Sequence, residues 1–269
     1  MNLSMNLTTS GAPDAPNIVL IHGMGSAATA WKPLTTLLQS RYNVITVDLP
    51  GHGKTALDKT QAMDPHSIAN LVVKEVEREF GVTEFDLVGN SWGGWIALEM
   101  AALAPNKIKS VTALAPAGLW HKGTTKRFPP SLDARILAKI SQYFMKTAYR
   151  LPPLKALGYK KITHLWRELS FESCRDSVIA MAKATGYKPL WKGVQNQKFD
   201  SAISPEVGVA IVFGDADRTL PEKIAQEKSV APPHSDWITV ENCAHVIMWN
   251  YPDLTVDLIK QTAEKAESK

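Results

Sequence analysis

Four short apolar runs, at residues 17–22 (NIVLIH), 43–48 (NVITVD), 85–89 (FDLVG) and 110–115 (SVTALA), fall within the first 118 positions and alternate with segments of helical period. A strand with one wet face alternates apolar and polar residues; these runs are apolar almost throughout, as strands covered on both faces are. The alternation predicts βα units and a mainly parallel sheet with helices on both faces, an α/β architecture. Residues 65–80 place Ile68, Leu71, Val72, Val76 and Phe80 on one helical face, and Gly81 closes the segment. Residues 91–104 are small and apolar nearly all round, which predicts a helix buried against the sheet and ending before Pro105.

From residue 119 to 204 the pattern changes to helical segments interrupted by Pro and Gly. Helices are expected at 131–148, at 154–169 with Gly158 as a weak point, and at 172–185, with breaks at Phe128-Pro129-Pro130 and Leu151-Pro152-Pro153. The sheet pattern resumes with a strand at 209–213, a helix near 221–229, a strand near 236–240 and a last helix from 252 to about 266. The expected organisation is therefore a core of residues 1–118 and 205–269 carrying a helical insertion at 119–204. About 16 residues precede the first strong strand, which leaves room for at most one short extra strand.

Composition narrows the class of partner. The formal charge of +4 comes from scattered lysines, and no compact basic stripe with interleaved aromatics points to nucleic acid. Cys174 and Cys243 sit in neither a disulfide framework nor a metal-ligand spacing. With no run of 18 apolar residues, a cytoplasmic chain without a membrane partner is expected, as a monomer or homodimer.

The chemistry is concentrated at the ends of the predicted strands. Gly89-Asn90-Ser91-Trp92-Gly93 matches G-x-S-x-G between an apolar strand and an apolar helix, the context in which a sharp turn holds a serine hydroxyl above the sheet. A serine hydroxyl needs a base to attack a carbonyl near neutral pH. Of the seven histidines, His245 lies in a short loop after the last strand, at the sheet edge where Ser91 should stand. The third group is a carboxylate that orients the imidazole. Asp215 and Asp217 both follow the strand ending at Phe213; Asp217 is the choice, with Asp215 read as a turn or capping residue. The order Ser91, Asp217, His245 fits this layout. Backbone N–H donors for an oxyanion are expected from Trp92 and from Met24 in the loop His22-Gly23-Met24-Gly25. Gly23, Trp120, Leu220 and Val246 are expected to line the substrate pocket, and no metal or organic cofactor is implied.

These motifs resemble the α/β-hydrolase superfamily over almost the whole chain outside the insertion. Asp48-Leu49-Pro50-Gly51-His52-Gly53 is similar to the family's D-x-x-G-x-G loop, which implies a structural role for Asp48 and His52. The insertion resembles the family's cap, which roofs the active site. The elbow resembles that of small esterases and of carbon-carbon bond hydrolases that cleave ring-fission products, although Trp92 stands where methionine often follows the serine. The resemblance implies a serine hydrolase acting on a small apolar carboxylic ester or a related carbonyl substrate. Two alternatives stay open: a carbon-carbon bond hydrolase of a diketone acid, with Lys122, Lys126 or Arg127 as partners of the acid, and a ligand-binding receptor of the same fold.

Overall fold

A computed structural model describes residues 4–120 and 132–268. Lys122, Lys126, Arg127 and the Phe128-Pro129-Pro130 break lie outside the described residues. Strands β1 (Asn6–Ser10), β2 (Asn17–Ile21), β3 (Asn43–Asp48), β4 (Phe85–Asn90), β5 (Ile108–Leu114), β6 (Gly208–Gly214) and β7 (Asp236–Val240) form one sheet in the order β1-β3-β2-β4-β5-β6-β7. Among the described residues only β1 runs antiparallel, and it pairs with β3; the other neighbouring pairs are parallel. β1 is a short strand ahead of the first strong one, where at most one extra strand is expected.

Helices α1 (Lys32–Leu38) and α11 (Pro252–Glu267) pack together on one face, and α2 (Pro65–Phe80) and α3 (Trp92–Leu103) on the other. α2 begins where the Asp64 carboxylate accepts the Ser67 N–H at 2.9 Å, and it stops at Gly81, whose φ of +62° is left-handed. α3 is buried on nearly every side, which explains why its sequence shows no polar face. The core between sheet and helices takes in Trp31, Trp92, Trp95, Phe85 and Phe213, all but inaccessible.

β2 sits between β3 and β4, so the chain reverses its direction of travel across the sheet between β2 and β4. In open α/β sheets the crevice at the carboxyl ends of the strands beside such a reversal is where ligands bind.

Between β5 and β6 the structure is helical, but more finely divided than the sequence suggests. The expected helix at 131–148 is two helices, α4 (Leu132–Ser141) and α5 (Met145–Arg150). The expected helix at 154–169 is only α6 (Pro152–Tyr159), and α7 (Phe171–Lys183) is followed by an unexpected α8 (Tyr187–Val194). Met145, Tyr159, Trp166 and Cys174 form a small core of their own within this region. It is tied to the main body by Lys32, whose Nζ lies 2.6 Å from Glu172 and 2.7 Å from Asp176 of α7. A second tie is the Gly186 N–H, which donates to the Gly51 carbonyl at 3.0 Å. α9 (Glu222–Ala225) and α10 (Ile247–Asn250) are single turns after β6 and β7.

Candidate active site

Four loops meet at the carboxyl edge of the sheet. The sharpest is at Ser91, which leaves β4 and opens α3 with φ 58° and ψ −118°, a conformation costly for any residue with a side chain. Its neighbours hold it there: Ser91 N–H donates to Leu114 O at 2.9 Å, and Ser91 O accepts from Gly94, Trp95 and Ala117. Glycines are required on either side, because a Cβ at Gly89 would strike Gly93 backbone and one at Gly93 would strike the carbonyls of Ile21 and His22. The loop after β2 passes so close that a Cβ on Gly23 would lie 3.1 Å from Ser91 Cβ and 3.7 Å from its Oγ.

His245 arrives from the loop after β7 and Asp217 from the loop after β6. Nδ1 of His245 lies 2.8 Å from Oδ2 of Asp217, and both residues are buried. The other oxygen of Asp217 accepts the N–H groups of Thr219 at 2.7 Å and Leu220 at 2.8 Å. Burial alone would raise this carboxyl's pKa, but His245 and these donors together outweigh it and hold it below the usual value. Asp215, two residues earlier, accepts the Cys243 N–H at 3.1 Å and fastens the two loops together.

Asn90 links the serine turn to the histidine loop: its Nδ2 donates to Leu114 O at 3.0 Å and to His245 O at 3.2 Å. The sequence motif contains Asn90 but gives it no role, since its partner is 155 positions away.

Two buried histidines brace the glycine loop after β2. His22 Nε2 accepts the Leu49 N–H at 3.1 Å, so its Nδ1 carries the proton and donates to Gly23 O at 2.8 Å. His52 Nε2 accepts the Gly25 N–H at 3.1 Å, and its Nδ1 donates to Pro50 O at 3.0 Å. Burial pushes His22 down to about 4; burial and the neighbouring His22 push His52 down to about 3, so both rings are neutral at physiological pH. Asp48 completes the brace, accepting from the N–H groups of Ala28 and Lys54 and from Asn6 Nδ2. Among the described residues no hydrogen bond takes up the N–H of Met24 or of Trp92.

Residues of the helical segment between β5 and β6 pack against these loops. Met181 and Tyr187 lie against Gly25, where an added Cβ would be 2.5 Å from Met181 Cε and 3.1 Å from Tyr187 Cδ2. Val246, next to His245, donates its N–H to Ile162 O at 3.1 Å. Gly23, Trp120, Leu220 and Val246 are all buried in this arrangement. A cleft of about 120 Å³ between α1 and α7 is lined by Ser26, Thr29, Lys32, Asp176 and Trp249 among others, and neither Ser91 nor His245 reaches it. Trp92 points into the core at 2% exposure. Among the described residues no three His, Cys, Asp or Glu side chains gather as a metal site would require.

Known proteins resemble this chain in sequence and in fold. The chain is 26% identical over 271 residues to a pimeloyl-[acyl-carrier protein] methyl ester esterase of Pseudoalteromonas atlantica, covering 97% of this chain and 99% of that protein. It is 21% identical over 258 residues to the monoacylglycerol lipase ABHD6 of Bos taurus, covering 91% and 74% of the two chains. The crystal structure of a naproxen esterase from Bacillus subtilis superposes with a TM-score of 0.70 at 18% identity, over 97% of this chain and 88% of that one, a likeness of fold. The profile of the alpha/beta hydrolase family matches residues 18–258, and the chain belongs to that family.

Proposed function

We propose that this chain is a serine hydrolase of small apolar carboxylic esters, with Ser91 as nucleophile, His245 as general base and Asp217 as the carboxylate that orients it. The observation that carries the reading is the 2.8 Å bond from His245 Nδ1 to Asp217 beside a serine held at φ 58°. With its Nδ1 proton committed to Asp217, the ring presents Nε2 as an acceptor for the serine proton. Ser91 Oγ attacks the carbonyl carbon, the proton passes to His245, and the tetrahedral oxyanion is received by the N–H groups of Met24 and Trp92. The imidazolium then protonates the departing alkoxide, leaving an acyl-enzyme that water hydrolyses by the same steps. Residues 119–204 serve as the cap. Gly23, Trp120, Leu220 and Val246 form the pocket beneath it, with Met181 and Tyr187 added as groups that close over the oxyanion loop.

The ester reading draws on the names of the relatives, a methyl ester esterase and a monoacylglycerol lipase. Its test is turnover of p-nitrophenyl esters from acetate to laurate by the wild type and by Ser91→Ala. Serine-dependent turnover with a chain-length optimum supports an esterase and sizes its acyl pocket. Equal turnover by the two proteins refutes the assignment of Ser91.

A further inference from the structure

The insertion wears part of its apolar surface outward. α4 packs on α7 and buries Ala138, yet Ile136 and Ile140 are 55% and 58% exposed. The turn that follows continues the helical spacing with Tyr143 at 80% and Phe144 at 64%, and in α6 Leu154 and Leu157 stand 48% and 71% exposed. A helix in a folded chain normally turns such side chains into the core, and a run of them turned out along consecutive elements marks a surface that something else covers.

Charge identifies what covers it. Residues 132–161 contain seven Lys and Arg against the single acid Asp133, a net +6 in a chain whose total is +4, so the rest of the molecule is slightly acidic. Lys139, Lys146, Arg150, Lys160 and Lys161 are exposed, while Lys155 is buried with its Nζ on the carbonyls of Arg167 and Leu169. The acids of the neighbouring α7 do not neutralise them, for Glu172 and Asp176 are engaged by Lys32 and Arg175. A second copy docked through the same face would set these five exposed cations against five more. Protein interfaces are depleted in lysine, and four of these five cations are lysines. Large aliphatic and aromatic side chains interleaved with lysines are the composition of helices that lie in the surface of an anionic bilayer.

We infer that α4 to α6 form a peripheral membrane-docking face that inserts Ile136, Ile140, Tyr143, Phe144, Leu154 and Leu157 into the headgroup region of an anionic lipid bilayer, with the surrounding lysines on the phosphates. This departs from the expectation of no membrane partner drawn from the sequence. Among the described residues no helix is long and apolar enough to cross a membrane, so the contact is with the surface alone. The inference does not depend on which bond the enzyme cleaves.

Flotation of the full chain with vesicles tests it, using phosphatidylcholine alone and phosphatidylcholine with one third phosphatidylglycerol. The chain is expected to float with the anionic vesicles, and less so as salt is raised. Ile140→Glu/Phe144→Glu and Lys146→Glu/Arg150→Glu are each expected to lower the partition by roughly tenfold or more. Both variants should keep the wild-type circular dichroism spectrum and melting temperature, which shows that they fold. Absence of flotation with anionic vesicles overturns the inference, as does flotation that both variants retain. So does a dimer, seen by sedimentation velocity, that the same variants disperse. Retention on immobilised polyglutamate without vesicle binding overturns it in favour of an acidic protein partner.

Discussion

Asp217 holds His245 with one carboxylate oxygen, 2.8 Å from Nδ1, while its other oxygen is held by the backbone N–H groups of Thr219 and Leu220. The carboxylate is thus held by the backbone independently of the ring that it orients. Asp215 has a different occupation, on the Cys243 N–H.

Replacing Asp217 by Asn keeps the shape but permits the wrong imidazole tautomer. The expected result is a fall in kcat of roughly 10³- to 10⁴-fold with an unchanged circular dichroism spectrum. Asp215→Asn, which leaves the ring untouched, should cost stability more than kcat. Steady-state kinetics of the two variants side by side decide it, and an equal loss in both would remove the distinction drawn between them.

The backbone of Ser91 makes a second prediction. Its φ of 58° with ψ −118° is a region that glycine enters freely and alanine does not. Ser91→Gly and Ser91→Ala both remove the hydroxyl and should both be inactive. The glycine variant should nonetheless be more stable than the alanine variant by about 1–2 kcal/mol. Thermal melting of the pair measures the strain stored at the turn; identical melting temperatures would mean that the turn stores none.

A third prediction concerns acid. His22 and His52 are neutral in the fold, with values near 4 and 3, whereas an exposed histidine titrates near 6.5. Because both folded values lie below the unfolded one, the unfolded chain takes up the protons first and stability falls as pH drops below about 6.5. Each ring contributes a slope of up to about 1.4 kcal/mol per pH unit until its own folded value is reached. The lowered carboxyl of Asp217 adds to the loss further down, with the same sign. Urea titrations between about pH 7 and 4 should show this slope, and His52→Gln should flatten it by one proton's worth. A variant as acid-sensitive as the wild type would assign the acid sensitivity elsewhere.

Much of this architecture was legible because it is locally encoded. The runs at 17–22, 43–48, 85–89 and 110–115 are strands to within about two residues, and α2 has the bounds its caps and period give. α1 went unseen because its seven residues carry a proline and no side-chain cap. α8 carries Pro189 and Gly193, both poor residues for a helix interior, yet Pro189 sits in the first turn, where no intrahelical donor is lost. In the insertion, periodicity ran on past ends that are set by tertiary contacts, so α6 stops at Tyr159 where its hydroxyl reaches Cys174 O and Ser177.

At the site, Ser91, Asp217 and His245 could be nominated because each follows a strand at the same edge of the sheet. Their supports could not. Asn90, His22 and His52 act on groups 24 to 155 positions away or through a loop whose path no local pattern gives. Met181 and Tyr187 reach Gly25 beside Gly186, which docks on Gly51, a contact between segments 135 positions apart.

The most direct test of the central claim is labelling by a fluorophosphonate, followed by intact mass and peptide mapping. A Ser91 nucleophile activated by His245 predicts one adduct per chain, on the peptide containing Ser91, absent from Ser91→Ala and strongly slowed in His245→Ala. An unlabelled wild type, or an adduct that persists in Ser91→Ala, would contradict it.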